Sequence, residues 1–237
     1  HPYPIGWVAI PVALGITAVF LFRRLRFGGG MSRQEMRWSE ALFDPASRAT
    51  AVAEIDRVLR REVRNRGGQV RLTILKAELL DAMGQHNEAD SMLSRLDGTD
   101  REDWERALVR HARAGLALRS GDAERARKVL DAPSSGIAAV DLRVELLRAE
   151  IGIELDEAEE AMAIATRIRK AATADPALGV EARVVRASAL DALGDREGAL
   201  EIFRDLDKGL LGQFAQRGSP RVRSLAADAD ETLAGPA

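Results

Sequence analysis

Few residues in this chain have the types and spacing that catalytic or metal chemistry requires. The 237 residues include no cysteine, which excludes disulfides, thiolate zinc sites and cysteine nucleophiles. The three histidines, His1, His86 and His111, form no pair at metal-ligand spacing. No Lys-Ser or Lys-Thr follows the glycine run 28–30, and no Gly-x-Ser-x-Gly motif occurs. We therefore expect a protein that is not an enzyme, with no cofactor, no metal and no small-molecule substrate.

Composition favours helices and argues against a nucleic-acid binder. Charged residues make up 30% of the chain and hydrophobic residues 46%, whereas aromatic residues make up only 4%. Ala, Leu, Arg and Glu, which are good helix formers, are abundant. The formal net charge is −2, and binding phosphates requires a basic surface.

The N-terminal residues 5–22 contain no charged side chain. As a helix this segment would be about 27 Å long, close to the hydrocarbon thickness of a bilayer. Arg23, Arg24 and Arg26 follow it, so the positive-inside rule predicts an outside N-terminus and a cytoplasmic remainder. We expect a single-pass membrane protein, with an anchor and basic flank over 1–26 that contacts lipid through 5–22. A buried core helix, a cleaved signal peptide and initiation at Met31 are the alternatives.

A second pattern recurs four times along the chain. The stretches DAMG and DALG end at Gly84 and Gly194, and the same arrangement surrounds Gly121 and Asp156, with loop residues 37, 35 and 38 positions apart. Such a period indicates repeated structural units. A Gly or Asp at this position ends a helix in the left-handed conformation, and small residues then let two antiparallel helices cross closely. An alanine lies seven residues before and five after each loop residue: Ala77, Ala89, Ala114, Ala126, Ala149, Ala161, Ala187 and Ala199.

This pattern resembles the tetratricopeptide repeat (TPR) family, whose helix-turn-helix unit of about 34 residues has a small residue in each helix. The resemblance covers residues 68–208 and is strongest in LDALGDREGALEIFRDL. The family's early bulky aromatics and its proline before the next repeat are absent. We expect an all-α fold with a transmembrane helix followed by a TPR-like α-solenoid. The predicted divisions are a linker over 27–43, a cap helix over 44–66, four repeats over 67–208, and a cap helix with tail over 209–237.

The resemblance also implies a surface for protein partners. In TPR-like solenoids the first helix of each pair lines the concave face, where partners usually dock. The corresponding residues become more acidic toward the loop end of each helix, which favours a basic or mixed peptide. These candidates are Arg71, Ile74, Glu78, Asp81, His111, Arg119, Arg143, Leu146, Glu150, Glu154, Glu181, Ser188 and Asp191.

Together these features predict a membrane-tethered scaffold or adaptor that binds other membrane or membrane-associated proteins. One alternative is a structural subunit of a larger membrane complex, which should expose apolar patches when isolated. The other is an extracytoplasmic chaperone-like TPR protein with the reversed topology.

Overall fold

The computed structural model describes residues 33–61, 66–98, 100–131, 134–172 and 175–234. Within these residues the chain forms twelve helices and no strand, which confirms the predicted all-α class. The helices are α1 (Arg33–Glu40), α2 (Arg48–Arg61), α3 (Arg66–Ala82), α4 (His86–Ser94), α5 (Asp103–Arg119), α6 (Ala123–Leu130), α7 (Ala138–Ile153), α8 (Ala158–Ala171), α9 (Pro176–Ala192), α10 (Arg196–Arg204), α11 (Lys208–Arg217) and α12 (Pro220–Ala234).

Contacts between the helices follow their order in the chain. From α3 to α10 each helix contacts the next, and α3, α5, α7 and α9 also contact one another in succession. The long helices α3, α5, α7 and α9 therefore lie side by side. Helices α4, α6 and α8 each pack between two of them, whereas α10 packs on α9 and α12.

The four loop residues adopt the backbone conformation that their types indicate. Gly84, Gly121, Asp156 and Gly194 have φ values of 79, 85, 66 and 91°. In each loop the next residue donates its N–H to the carbonyl five positions earlier, as Asp195 does to Leu190 over 2.9 Å. This is the Schellman arrangement, in which the left-handed residue ends the helix and satisfies its last carbonyls.

The repeated alanines lie at the crossings between helices. All eight are at most 3% exposed. Because a methyl group occupies little space, the paired helices approach closely, and leucines such as Leu93 and Leu147 fill the remaining volume. The two alanines that flank each loop residue also belong to the same hydrophobic cluster, as their predicted place between two helices requires.

Residues 33–43, predicted as part of a linker, instead form α1 and a buried turn. Trp38 is 3% exposed and Leu42 is 0% exposed, and both pack against α2 and α3. The Trp38 indole Nε1 donates to Glu54 Oε2 over 2.8 Å. The apolar surface of these two side chains outweighs the cost of ordering a short segment. Helix α2 begins at Arg48, four residues after the expected start at Asp44, because residues 44–47 form a turn.

The C-terminal helices cover the last helix pair. Leu211 and Phe214 of α11 and Leu225 of α12 pack on Phe203 of α10. The Phe203 and Phe214 rings meet edge to face, with centroids 6.2 Å apart. Helices α11 and α12 therefore complete a hydrophobic cluster that α9 and α10 would otherwise expose.

The predicted localisation requires correction. Along the described residues no helix is long and apolar enough to cross a bilayer, so a single-pass membrane protein is not supported. The segment 5–22, on which that prediction rested, lies outside the described residues.

Candidate functional site

None of the thirteen candidate residues is exposed, and three lie apart from the others. Ile74 and Leu146 belong to hydrophobic clusters and are 2% and 0% exposed. Arg71 pairs with Glu35 of α1 over 3.6 Å. The other ten are buried or half-buried polar residues on α3, α5, α7 and α9 or directly after α7, here called the inner face: Glu78, Asp81, His111, Arg119, Arg143, Glu150, Glu154, Glu181, Ser188 and Asp191.

At the first end of the inner face, Asp81 contacts an arginine and a histidine. Arg119 Nε lies 3.1 Å from one carboxylate oxygen of Asp81, and His86 Nδ1 lies 2.7 Å from the other. Burial acts to raise the pKa of Asp81, but Arg119, His86 and Arg217 outweigh it and lower the pKa below its usual value. Asp81 is therefore a stable anion that links α3 to α5.

In the middle of the inner face, Arg143 is fully enclosed and paired. Its NH2 lies 3.0 Å from Asp175 Oδ2, and its Nε lies 3.5 Å from Glu181 Oε2. His111 lies close to Arg143 and Arg119, and burial together with these two cations lowers its pKa to about 3. The imidazole is consequently neutral at physiological pH.

Glu150 is the most perturbed carboxyl group on the inner face. Burial raises its pKa to about 7, and the neighbouring Glu154 and Glu181 act in the same direction. Ser219 and Arg119 act in the opposite direction. Glu150 therefore changes its charge near neutral pH, a pH range in which few other side chains titrate.

The sequence analysis did not identify the segment that covers the inner face. Residues 217–223, here called the α11–α12 junction, contain Arg217, Ser219, Arg221 and Arg223. Gly218 is required at this turn, because a Cβ atom there would lie 2.3 Å from Val222 Cγ1 and 2.8 Å from the carbonyl oxygen of Phe214. The available signal was three arginines within seven residues around a Ser-Pro helix start.

The α11–α12 junction contacts all four inner-face helices. Arg217 NH1 lies 3.7 Å from Glu78 Oε2 of α3, and Arg223 NH1 lies 3.4 Å from the Arg119 carbonyl oxygen of α5. Arg221 reaches Glu154, the residue directly after α7, over 3.6 Å and Asp191 of α9 over 2.7 Å. Burial lowers the pKa of Arg217 to about 10, which leaves it charged at neutral pH.

A separate groove opens between α6, α7 and α8. Its volume is about 480 Å³. Leu130 and Ile164 contribute apolar lining, and Arg127 pairs with Glu157 at its edge over 2.6 Å. None of the thirteen candidate residues lines this groove.

Neither metal ligation nor similarity to known proteins assigns a role to the inner face. Within the described ranges no three His, Asp or Glu side chains lie together in a way that could hold a metal ion. No family model, curated protein or solved structure matches this chain.

Proposed function

We propose that this protein is a protein-interaction scaffold whose inner face binds an arginine-bearing segment of a partner protein. In this proposal α3 to α10 are four TPR-like helix-turn-helix units of a short α-solenoid, and the inner face is its concave side. The order of the helix contacts, the four left-handed loop residues and the buried alanines support this arrangement. A bilayer anchor is not part of the proposal.

One observation carries the choice of partner chemistry. The α11–α12 junction directs Arg217 and Arg221 onto carboxylates from α3, α7 and α9. Charge complementarity of this kind gives a surface its preference among partners. The inner face therefore has the geometry to receive two guanidinium groups from one continuous segment.

The exposed surface favours a scaffold over a constitutive structural subunit. Among the described residues, Met83 and Leu193 are the large hydrophobic side chains classed as exposed, at 39% and 47%. A subunit that is buried permanently in an assembly would present a larger contiguous apolar surface. Both residues instead occupy equivalent positions, each directly before a loop glycine.

Site-specific photo-crosslinking in the native cells tests this proposal. A photoreactive amino acid in place of Leu193, which shares a surface pocket with Arg221, should give a discrete protein adduct. The double substitution Glu154→Gln and Asp191→Asn should abolish the adduct by removing the carboxylates that pair with Arg221. Lys170, exposed at the end of α8, provides the control position. Equal adducts from Leu193 and Lys170, or none from Leu193, would refute the proposal.

A further inference from the structure

The acids of the inner face outnumber its own arginines, and the α11–α12 junction supplies further cations. The face carries six acids, Glu78, Asp81, Glu150, Glu154, Glu181 and Asp191, but only two arginines, Arg119 and Arg143. Arg119 is paired with Asp81, and Arg143 is paired with Asp175 and Glu181. Glu78 and Glu154 thus depend on Arg217 and Arg221 for a cationic partner.

Asp191 receives its cations from the C-terminal part of the chain as well. Arg221 NH1 lies 2.7 Å from one of its oxygens, and Arg196 NH1 of α10 lies 2.6 Å from the other. Burial raises the pKa of Glu150 to about 7, which reduces its charge. Without the α11–α12 junction, the inner face would therefore present buried or half-buried carboxylates that lack a cation.

The α11–α12 junction fits the inner face incompletely. The Arg217–Glu78 distance of 3.7 Å and the Arg221–Glu154 distance of 3.6 Å are longer than hydrogen bonds. Arg217 NH1, Arg221 Nε and Glu78 Oε2 are buried without a hydrogen-bond partner among the described residues. Because a buried polar atom without a partner is costly, a segment with better geometry could displace the junction.

Apolar residues hold α11 and α12 against α9 and α10. Leu211, Phe214 and Leu225 belong to this hydrophobic cluster, and Val222, inside the junction itself, belongs to it as well and is 1% exposed. Arg217 ends α11 and Arg221 lies in the first turn of α12, so their backbone stays in place. Their long side chains can nevertheless withdraw from the inner face while both helices keep their apolar contacts.

From these contacts we infer that the α11–α12 junction is an internal ligand that occupies the inner face and competes with a partner segment carrying two arginines four residues apart. This inference rests on the proposed function and adds its regulation. The spacing is that of Arg217 and Arg221 in the sequence RGSPR, whose three intervening residues are small or compact. A partner protein that offers this pattern would gain the carboxylates that the junction now neutralises.

The chain's own segment supplies a defined probe for this competition. A fluorescent peptide with the sequence of residues 214–225, FAQRGSPRVRSL, can be titrated with the full chain and followed by fluorescence anisotropy. The variant Arg217→Gln/Arg221→Gln lacks the internal ligand. This variant should bind the peptide at least about tenfold more tightly than the unmodified chain. The reason is that the apparent affinity is reduced in proportion to the fraction of molecules whose inner face is free, and the internal ligand keeps that fraction small.

Two matched controls isolate the effect of position from that of net charge. The variant Arg125→Gln/Arg127→Gln removes two arginines from α6, where they pair with Asp90 and Glu157, and it should bind the peptide no better than the unmodified chain. A peptide with glutamine at the positions of Arg217 and Arg221 should bind neither chain. If the Arg217/Arg221 variant does not fold, Arg221→Gln alone replaces it, since that side chain is 29% exposed. This single variant should still bind more tightly than the unmodified chain.

The outcomes separate the internal ligand from the proposed function. A folded Arg217/Arg221 variant that binds the peptide no more tightly than the unmodified chain would overturn the inference. The crosslink from Leu193 would then still support the scaffold.

Light scattering tests whether the junction that occupies the inner face belongs to the same chain. If the unmodified chain is a dimer and this variant a monomer, the junction of a second copy occupies the face, and intramolecular competition is likewise overturned.

Discussion

The ion pair between Glu78 and Arg217 measures how firmly the α11–α12 junction is held on the inner face. The two side chains are 2% and 7% exposed, and their charged atoms are 3.7 Å apart. Removing one partner of a buried pair costs about 3–5 kcal/mol, because the other charge remains buried. For Arg217→Met we expect a loss of about 3 kcal/mol in the free energy of unfolding, the lower end of this range, because the charged atoms of the pair are farther apart than in a hydrogen bond. Asp81, the other acid near Arg217, also keeps its contact with Arg119 in this variant.

The reverse substitution should cost less. Glu78→Gln leaves Arg217 with the nearby charge of Asp81, so we expect a loss of about 1–2 kcal/mol. The double variant buries no uncompensated charge from this pair, and its loss should be close to that of Glu78→Gln alone. The coupling free energy of the double-mutant cycle is then about 2–3 kcal/mol.

Urea denaturation of the full chain, followed by far-ultraviolet circular dichroism, gives the free energy of unfolding for all four proteins. The pair Asp90–Arg125 is the control, because it is shorter, at 2.7 Å, but its side chains are 23% and 48% exposed. Exposed pairs contribute about 0–1 kcal/mol, so this cycle should give a coupling below about 0.5 kcal/mol. A Glu78–Arg217 coupling no larger than that of the control would refute the docking of the α11–α12 junction.

Three further predictions concern pH and backbone geometry. The pKa of Glu150 is about 7, above its usual 4.5. The stability contributed by its protonated form is therefore present below pH 4.5 and lost as the pH rises through about 7. In urea titrations the unmodified chain should lose about 3 kcal/mol of stability between about pH 5 and pH 8, and the variant Glu150→Gln should not show this loss. The pKa of His111 is about 3, below its usual 6.5, so the stability contributed by its neutral form is present above pH 6.5 and lost as the pH falls toward 3. His111→Gln should therefore reduce the fall in unfolding free energy on the acid side. An unchanged fall would assign it to other groups. Gly194→Ala should destabilise the protein by about 1–2 kcal/mol, because Gly194 has a φ of 91°. Gly179→Ala should stabilise it by about 0.5–1 kcal/mol, because Gly179 lies inside α9 with open space around the added Cβ. Melting temperatures of the two variants that shift in the same direction would contradict this assignment.

The helix pairs could be predicted because their signals are local. Each loop residue and its two alanines lie within thirteen consecutive positions, and the left-handed conformation of Gly194 depends only on its immediate neighbours. The linker prediction was wrong for residues 33–43, because the burial of Trp38 and Leu42 depends on α2 and α3, which follow them in the chain.

The environment of the candidate residues could be predicted only in part. Helical spacing selected ten polar residues that are buried or half-buried, but it also included Ile74 and Leu146, which belong to the hydrophobic clusters. Spacing identifies the side of a helix on which a residue lies. It does not show how far the neighbouring helix covers that side, which depends on how two helices cross.

By itself the sequence determined the all-α class, the positions of the helix reversals and the alanines at the crossings, since these follow from backbone preferences and side-chain size over short stretches. The tertiary structure decided that the inner face is occupied. Arg217 meets Glu78 because the packing of all the helices between them brings the α11–α12 junction against α3. Short-range sequence patterns do not encode how so many helices pack together, and the ion pairs between the inner face and the junction depend on it.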